Sequence, residues 1–269
     1  CDSQLLSTVH DFMSIFDSKR QIDVAVLDFS KAFDVVPHQR LLGKLQHCGV
    51  DGHTLAWIGS FLIGRTQRVV VDGACSDWAP VHSGVPQGTV LGPLLFLIYI
   101  NDLPDCVSSR ARLFADDCLL YREVRCLDDQ LALQRDLDSL EAWALKWGMK
   151  LNPSKRNILS ISKSPPLHKY YSLCGTVLQQ VSEAKYLGVT LSDDLHWTKH
   201  VQQLSAKASS TLGLLKRNLS SCPQALREQA YIALIRSRLE YCAGIWAPYK
   251  IGDMSSLENI QRRAARFVV

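Results

Sequence analysis

The sequence predicts an α/β (α+β) fold: an antiparallel sheet with helices packed on it over residues 1–195, then an all-helical segment over 196–269. Three observations carry this. Short apolar runs bounded by turn residues recur through the first two thirds of the chain, as strands require. Between them lie stretches with apolar residues every three or four positions, which mark helices with one buried face. From His196 onward only the helical period remains.

Taken in order, residues 3–20 place Leu5, Leu6, Val9, Phe12, Met13 and Phe16 on a helical repeat. Val24-Ala25-Val26-Leu27 is the first strand and delivers Asp28 at its end. Pro37 suits the first turn of the next helix, where a missing amide hydrogen costs nothing. That helix turns Leu41, Leu42 and Leu45 toward the core, and Gly49 closes it. A further helix covers about 54–63. Val69-Val70-Val71 and residues 78–81 form a hairpin around Asp72-Gly73, a strong turn signal. Residues 83–93 hold three glycines and two prolines and cannot be regular structure. They lead into an apolar core helix, Leu91 to Ile100, so their amides are placed to meet a phosphate or a base.

Leu127 to Trp147 is an amphipathic helix ended by Gly148, with Leu131, Leu137, Leu140, Trp143 and Leu145 among its apolar positions. A strand over 157–162 follows, then two short strand patterns near 170–173 and 177–181. Tyr186 to Leu191 reads as one more strand, with Gly188 marking a close backbone approach. Helices over 197–219, 224–240 and 254–268 complete the chain.

No apolar run approaches the ~20 residues of a membrane span, so no membrane partner is expected. The nine cysteines form no CxxC pair and no zinc-like spacing with histidine. That usage fits a reducing, intracellular setting, and nucleus and cytoplasm suit it equally. The net charge of +4 is unevenly spread. Residues 1–120 carry nine basic and thirteen acidic side chains, whereas residues 196–269 carry eleven basic and four acidic. The last segment is therefore suited to grip a polyanion.

The stretch that organises the chain is Leu113-Phe114-Ala115-Asp116-Asp117-Cys118-Leu119-Leu120. Its flanks read as two buried strands, with Asp116-Asp117 as the tight turn between them. Two carboxylates in apolar surroundings repel one another and lose hydration unless a cation is shared. An oxygen-only donor set favours a hard divalent ion. Asp28, at the end of another apolar strand, can supply a third oxygen ligand at the same sheet edge, an arrangement suited to two-metal phosphoryl transfer.

Five stretches in this order together resemble the reverse transcriptases of non-LTR (LINE-type, Jockey-like) retrotransposons. They are Asp28-Phe29-Ser30-Lys31-Ala32-Phe33-Asp34, Ser83-Gly84-Val85-Pro86-Gln87-Gly88, Phe114-Ala115-Asp116-Asp117, residues 147–155, and Tyr186-Leu187-Gly188-Val189. The resemblance implies a right-hand polymerase palm with a remnant of the fingers over 1–195 and a helical thumb over 196–269. It also implies RNA-directed DNA synthesis by two-metal nucleotidyl transfer to a primer 3′-hydroxyl.

In that reading Asp28, Asp116 and Asp117 are catalytic metal ligands, joined by the Phe29 carbonyl, and the ions are two Mg²⁺, with Mn²⁺ as a substitute. Lys155 protonates the leaving pyrophosphate. Phe33 is the steric gate against a 2′-hydroxyl, while Pro86, Gln87 and Gly88 meet nucleotide and template. Leu187 and Gly188 contact the primer. The expected partners are an RNA template, a DNA primer and deoxynucleoside triphosphates. The fingers are truncated, so the parent polypeptide is expected to supply the fingers and an endonuclease upstream. The alternative is a catalytically inactive, element-derived nucleic-acid-binding domain.

Overall fold

The computed structural model describes residues 1–152, 156–167 and 170–269. The chain divides into two compact units that interleave in sequence. One takes residues 1–22, 159–166 and 181–269, and the other takes 23–158 and 167–180. The mixed class expected from the sequence is what is found, with helices, strands and a helical C-terminal stretch.

A five-stranded sheet, most of whose residues belong to the second unit, has the order Gln179–Val181, Asn157–Ile161, Gln21–Asp28, Asp117–Val124, Arg110–Phe114. The strand Gln21–Asp28 sits at its centre and is buried almost throughout. That burial explains why its sequence is a continuous apolar run rather than an alternating one. Leu27, Phe29, Leu120, Leu133, Leu137 and Phe96 belong to one core between the sheet and its helices.

The helix Leu127–Trp147 packs Leu133, Leu137, Leu140 and Trp143 into this core. Asp129 accepts from the Cys126 amide to cap its start, and Gly148, at φ +71°, ends it. The helix His38–His47 follows Pro37, which stands in extended conformation just before the first turn rather than in it. Its Lys44 shares the buried face with Leu41 and Leu45. Nζ lies 2.6 Å from Asp102 Oδ1, donates to the Tyr99 carbonyl and sits 3.7 Å from the Trp147 ring centroid. Burial pulls the Lys44 ammonium below the usual lysine range, and the hydrogen bond it donates to Asp102 opposes that shift.

The other unit contains the helix Asp2–Asp17, the hairpin formed by Glu183–Tyr186 and Val189–Ser192, and the helices from Thr198 onward. Its helical core joins Ala208, Leu212, Ile235, Leu239, Ile260 and Phe267. Helix is continuous from Gln224 to Glu240, with a wider π-turn over Ile232–Arg236. Two short helices, Ala32–Val35 and Ala243–Trp246, carry too few residues to show a period in the sequence.

Three readings are corrected. The carboxylate turn is Ala115-Asp116 and not Asp116-Asp117: Phe114 pairs with Asp117, so Asp117 is the first residue of its strand. Of the two strands taken as buried, Arg110–Phe114 is a half-exposed edge strand, and only Asp117–Val124 is core. The run 186–191 is not one strand, because Leu187 (φ +44°) and Gly188 (φ +85°) form a turn between two antiparallel strands.

Candidate active site

Asp28 and Asp117 stand on neighbouring strands of the sheet, at the last residue of one and the first of the other. Asp116 occupies the turn beside Asp117. The preceding Ala115 is held at φ +52°, a left-handed conformation that costs a non-glycine residue about 1–3 kcal/mol. Antiparallel pairing on both sides of the turn holds it there. Cys118, immediately behind the pair, is fully buried, and that burial pushes its thiol up to about 12, so it stays a neutral, apolar neighbour.

Asp28 is 8% exposed, and Asn152 holds both its side chain and its backbone. Asn152 Nδ2 donates to Asp28 Oδ2 at 3.0 Å, while the Asn152 amide donates to the Asp28 carbonyl at 2.8 Å. Ser30 N in turn donates to Lys150 O at 2.7 Å, so residues 150–152 run alongside 28–30 as a short bridge centred on Phe29 and Leu151. Neither bond engages the Phe29 carbonyl. The Phe29 ring is buried and lies 6.2 Å from Trp143. Asn152 is the site residue that sequence reasoning passed over; its signal was a lone amide side chain between Leu151 and Pro153, inside a stretch already matched.

Phe33 stacks on Phe96, with ring centroids 4.3 Å apart. The glycine- and proline-rich loop is stitched to the same segment. Val85 N donates to Phe33 O, Gly84 N to Val36 O, and Ser83 Oγ to Asp34 O, each at 2.8 Å. Gln87 Nε2 reaches Asp34 Oδ1 at 2.9 Å. So close is the approach that a Cβ on Gly84 would lie 2.7 Å from the Asp34 backbone. Pro86 is fixed from behind: its carbonyl accepts from Thr89 Oγ1, and a Cβ on Gly92 would stand 2.2 Å from that oxygen. Gly88 turns at φ +78° in open space. A cavity of about 770 Å³ opens here, lined by Lys31, Asp34, Arg65, Pro86 and Gln87 among others.

The fold thus brings Pro86 and Gln87 to one cavity, ties the Phe33 backbone to the same loop through Val85, and sets Asp28 one strand away from the Asp116-Asp117 hairpin. Lys155 lies outside the described residues. Leu187 and Gly188 form a turn in the other unit, where Tyr241 Oη donates to Leu187 O at 2.9 Å and the Tyr241 ring covers Gly188. Among the described residues no three His, Cys, Asp or Glu side chains stand close enough to form a ready-made metal cage. No helix among them is long and apolar enough to cross a membrane.

The sheet carries paired carboxylates at a hairpin, beside a glycine-rich loop stitched to the Phe33 segment, and the chain belongs to the reverse transcriptase (RNA-dependent DNA polymerase) family, whose profile matches residues 3–191. Its relatives are the polymerases of non-LTR elements. It is 30% identical to the "Probable RNA-directed DNA polymerase from transposon X-element" of Drosophila melanogaster, over 98% of this chain and 30% of that protein. It is 31% identical to the RNA-directed DNA polymerase from mobile element jockey of Drosophila funebris, over 75% of this chain and 23% of that one. The chain therefore spans less than a third of the length of each of these two relatives. Among solved structures, apo telomerase from Candida tropicalis superposes with a TM-score of 0.54 at 13% identity, covering 99% of this chain and 50% of that one, a likeness of fold.

Proposed function

We propose that this chain is the palm and thumb of an RNA-directed DNA polymerase that adds deoxynucleotides to a DNA primer on an RNA template. The observation that supports it best is the placement of Asp28 beside the hairpin bearing Asp116 and Asp117, with Asn152 holding the Asp28 carboxylate. By role, we assign 1–195 to the palm with a fingers remnant and 196–269 to the thumb, a division that differs from the one into compact units.

The donors at this edge are carboxylate oxygens, the chemistry that suits Mg²⁺ and, in its place, Mn²⁺. Polymerase magnesium is typically held by one or two carboxylates plus the substrate's own phosphates, so a preformed three-residue cage is not a requirement. Bound there, two ions would lower the pKa of the primer 3′-hydroxyl and offset charge on the triphosphate. Asp28, Asp116 and Asp117 would hold them, with the Phe29 carbonyl as a backbone ligand. Phe33, braced by Phe96, would lie under the sugar and exclude a 2′-hydroxyl. Pro86, Gln87 and Gly88 would meet nucleotide and template, with Gln87 oriented by Asp34. Lys155 would donate the proton to pyrophosphate, and Leu187 and Gly188 would contact the primer.

The test is primer extension on an RNA template by the parent enzyme and by Asp28→Asn and Asp116→Asn. Each variant should lose at least about a thousandfold in rate while binding primer–template with unchanged affinity, since removing a ligand leaves the substrate grip intact. Undiminished extension by Asp116→Asn would overturn the assignment. Tight binding with no extension by the parent itself would favour an inactive nucleic-acid-binding domain.

A further inference from the structure

The segment 66–80 is exposed at every position. Its two short ladders, Thr66–Gln67 with Ala79–Pro80 and Val70–Val71 with Ala74–Cys75, are each two-stranded sheets of their own. Extending the first register by one step puts Arg68 opposite Trp78, and the Arg68 guanidinium lies 4.7 Å from the Trp78 ring centroid. One extra residue then enters the second strand before Val70 meets Cys75, a bulge that re-aims side chains. Ser76 braces it: Ser76 N donates to Val69 O, and Ser76 Oγ accepts from Val69 N, both at 2.9 Å.

Trp78 is 62% exposed, although tryptophan is on average a well-buried residue. With a guanidinium stacked over the ring, the indole is held in place and still offers surface to a second planar group. At the base of the hairpin the lining turns basic, since Arg65, His82 and Lys31 border the cavity whose other wall includes Gly84, Pro86 and Gln87. Arg65 is aimed by two bonds, Nη2 to Gly84 O at 2.7 Å and Nε to Leu62 O at 3.0 Å. The nearby acids are Asp34, bonded to Gln87, Asp77 in the bulge and Asp72 at the far tip. Beside Asp77 a phosphate would be repelled, so Trp78 suits a base and the cavity mouth suits the backbone.

An aromatic platform next to a cation-lined cavity matches an unpaired nucleic-acid strand, which has free base faces to stack and phosphates to neutralise. A duplex keeps its base faces covered by neighbouring pairs. We propose that the 66–80 hairpin binds the single-stranded RNA template ahead of the nucleotide loop, with one base stacked on Trp78 against Arg68. This rests on the polymerase reading above. The exposed Val69, Val70 and Val71 would also suit a protein partner, which the experiment separates.

The experiment measures binding of the chain to two fluorescein-labelled hybrids. In one, a DNA primer is annealed to an RNA template carrying a six-nucleotide 5′ overhang; the other is the same hybrid, blunt at that end. The parent should prefer the overhang. Trp78→Ala should weaken overhang binding by about tenfold, toward the lower end of what one base stacked on an aromatic ring contributes. Trp78→Phe should keep most of it, and blunt-hybrid affinity and melting temperature should not change. Equal overhang binding by Trp78→Ala and parent overturns the proposal and leaves the polymerase reading standing. So does an equal loss on both hybrids, or a loss of self-association with RNA binding intact. A chain that binds neither hybrid overturns both readings.

Discussion

Gly84→Ala isolates the joint between the glycine-rich loop and the Phe33 segment. An alanine there meets two costs. The backbone stands at φ +86°, where an L-residue is disfavoured by roughly 1–2 kcal/mol. Its Cβ would also lie 2.7 Å from the Cα and carbonyl oxygen of Asp34, which are backbone atoms that cannot rotate away. Relieving that overlap must stretch the three 2.8 Å bonds that stitch residues 83–85 to 33–36. If two of them are lost at ~0.5–1.5 kcal/mol each, the sum is about 3 kcal/mol. For a chain of this size that is a fall of roughly 6–12 °C in melting temperature. Gly88→Ala is the matched control, because Gly88 is also left-handed at φ +78° but a Cβ there has nothing within 4 Å. It should lose only the conformational part, about 1–2 kcal/mol. Both variants are read by thermal melting followed by far-UV circular dichroism. Equal losses in the two would show that the close packing against Asp34 carries no energy.

Phe33→Ala should cost about 2 kcal/mol, less than a fully buried phenylalanine because the ring is only partly buried on Phe96, and in the parent polymerase should admit ribonucleotides; unchanged sugar discrimination with the stability loss would leave Phe33 as packing alone. His200 is buried and neutral, held near pKa 4 first by desolvation and then by Lys207 and Lys185, with Nδ1 accepting from Thr190 N. Its folded pKa lies below the unfolded 6.5, so the unfolded chain takes up the proton first and stability falls as pH drops from about 6.5 toward 4, by up to about 3 kcal/mol. Melting curves against pH should show that slope flattened in His200→Gln, and an unaltered slope would refute it. Lys207, Lys216 and Arg217 are exposed on the helix Thr198–Asn218, and replacing all three by Gln should make the salt dependence of primer–template binding shallower by about one unit per residue that touches phosphate. Identical binding at every salt concentration would mark them as a solvated face.

Where the sequence carried a period or a special backbone requirement, the fold could be read from it. The helix Leu127–Trp147, its glycine stop and the Asp72-Gly73 turn all follow from such signals. The carboxylate turn was read one residue late because Cys118–Tyr121 is a continuous buried run and offers no alternation to fix its phase. The Leu187-Gly188 turn went unread because its first left-handed position is a leucine, where asparagine or aspartate is the usual signal. No local pattern announces the burial of Lys44, since its partner Asp102 lies 58 residues away. Much the same holds for Asn152, whose bond to Asp28 spans 124 residues.

The interleaving of the two units has a consequence for how the chain acquires its structure. The helix Asp2–Asp17 belongs with residues 181–269, and Asp2 Oδ1 accepts from Cys242 Sγ at 2.9 Å. Emerging from a ribosome at ~5–20 residues per second, the first helix waits roughly 10–50 s for that partner. Meanwhile residues 23–158 can complete most of their own core. The long wait exposes Leu5, Val9 and Phe12, all buried in the finished unit, to solvent and to other nascent chains. Trimming the first seventeen residues would therefore leave every proposed catalytic residue in place and still strip the late-folding unit of an element it is built around.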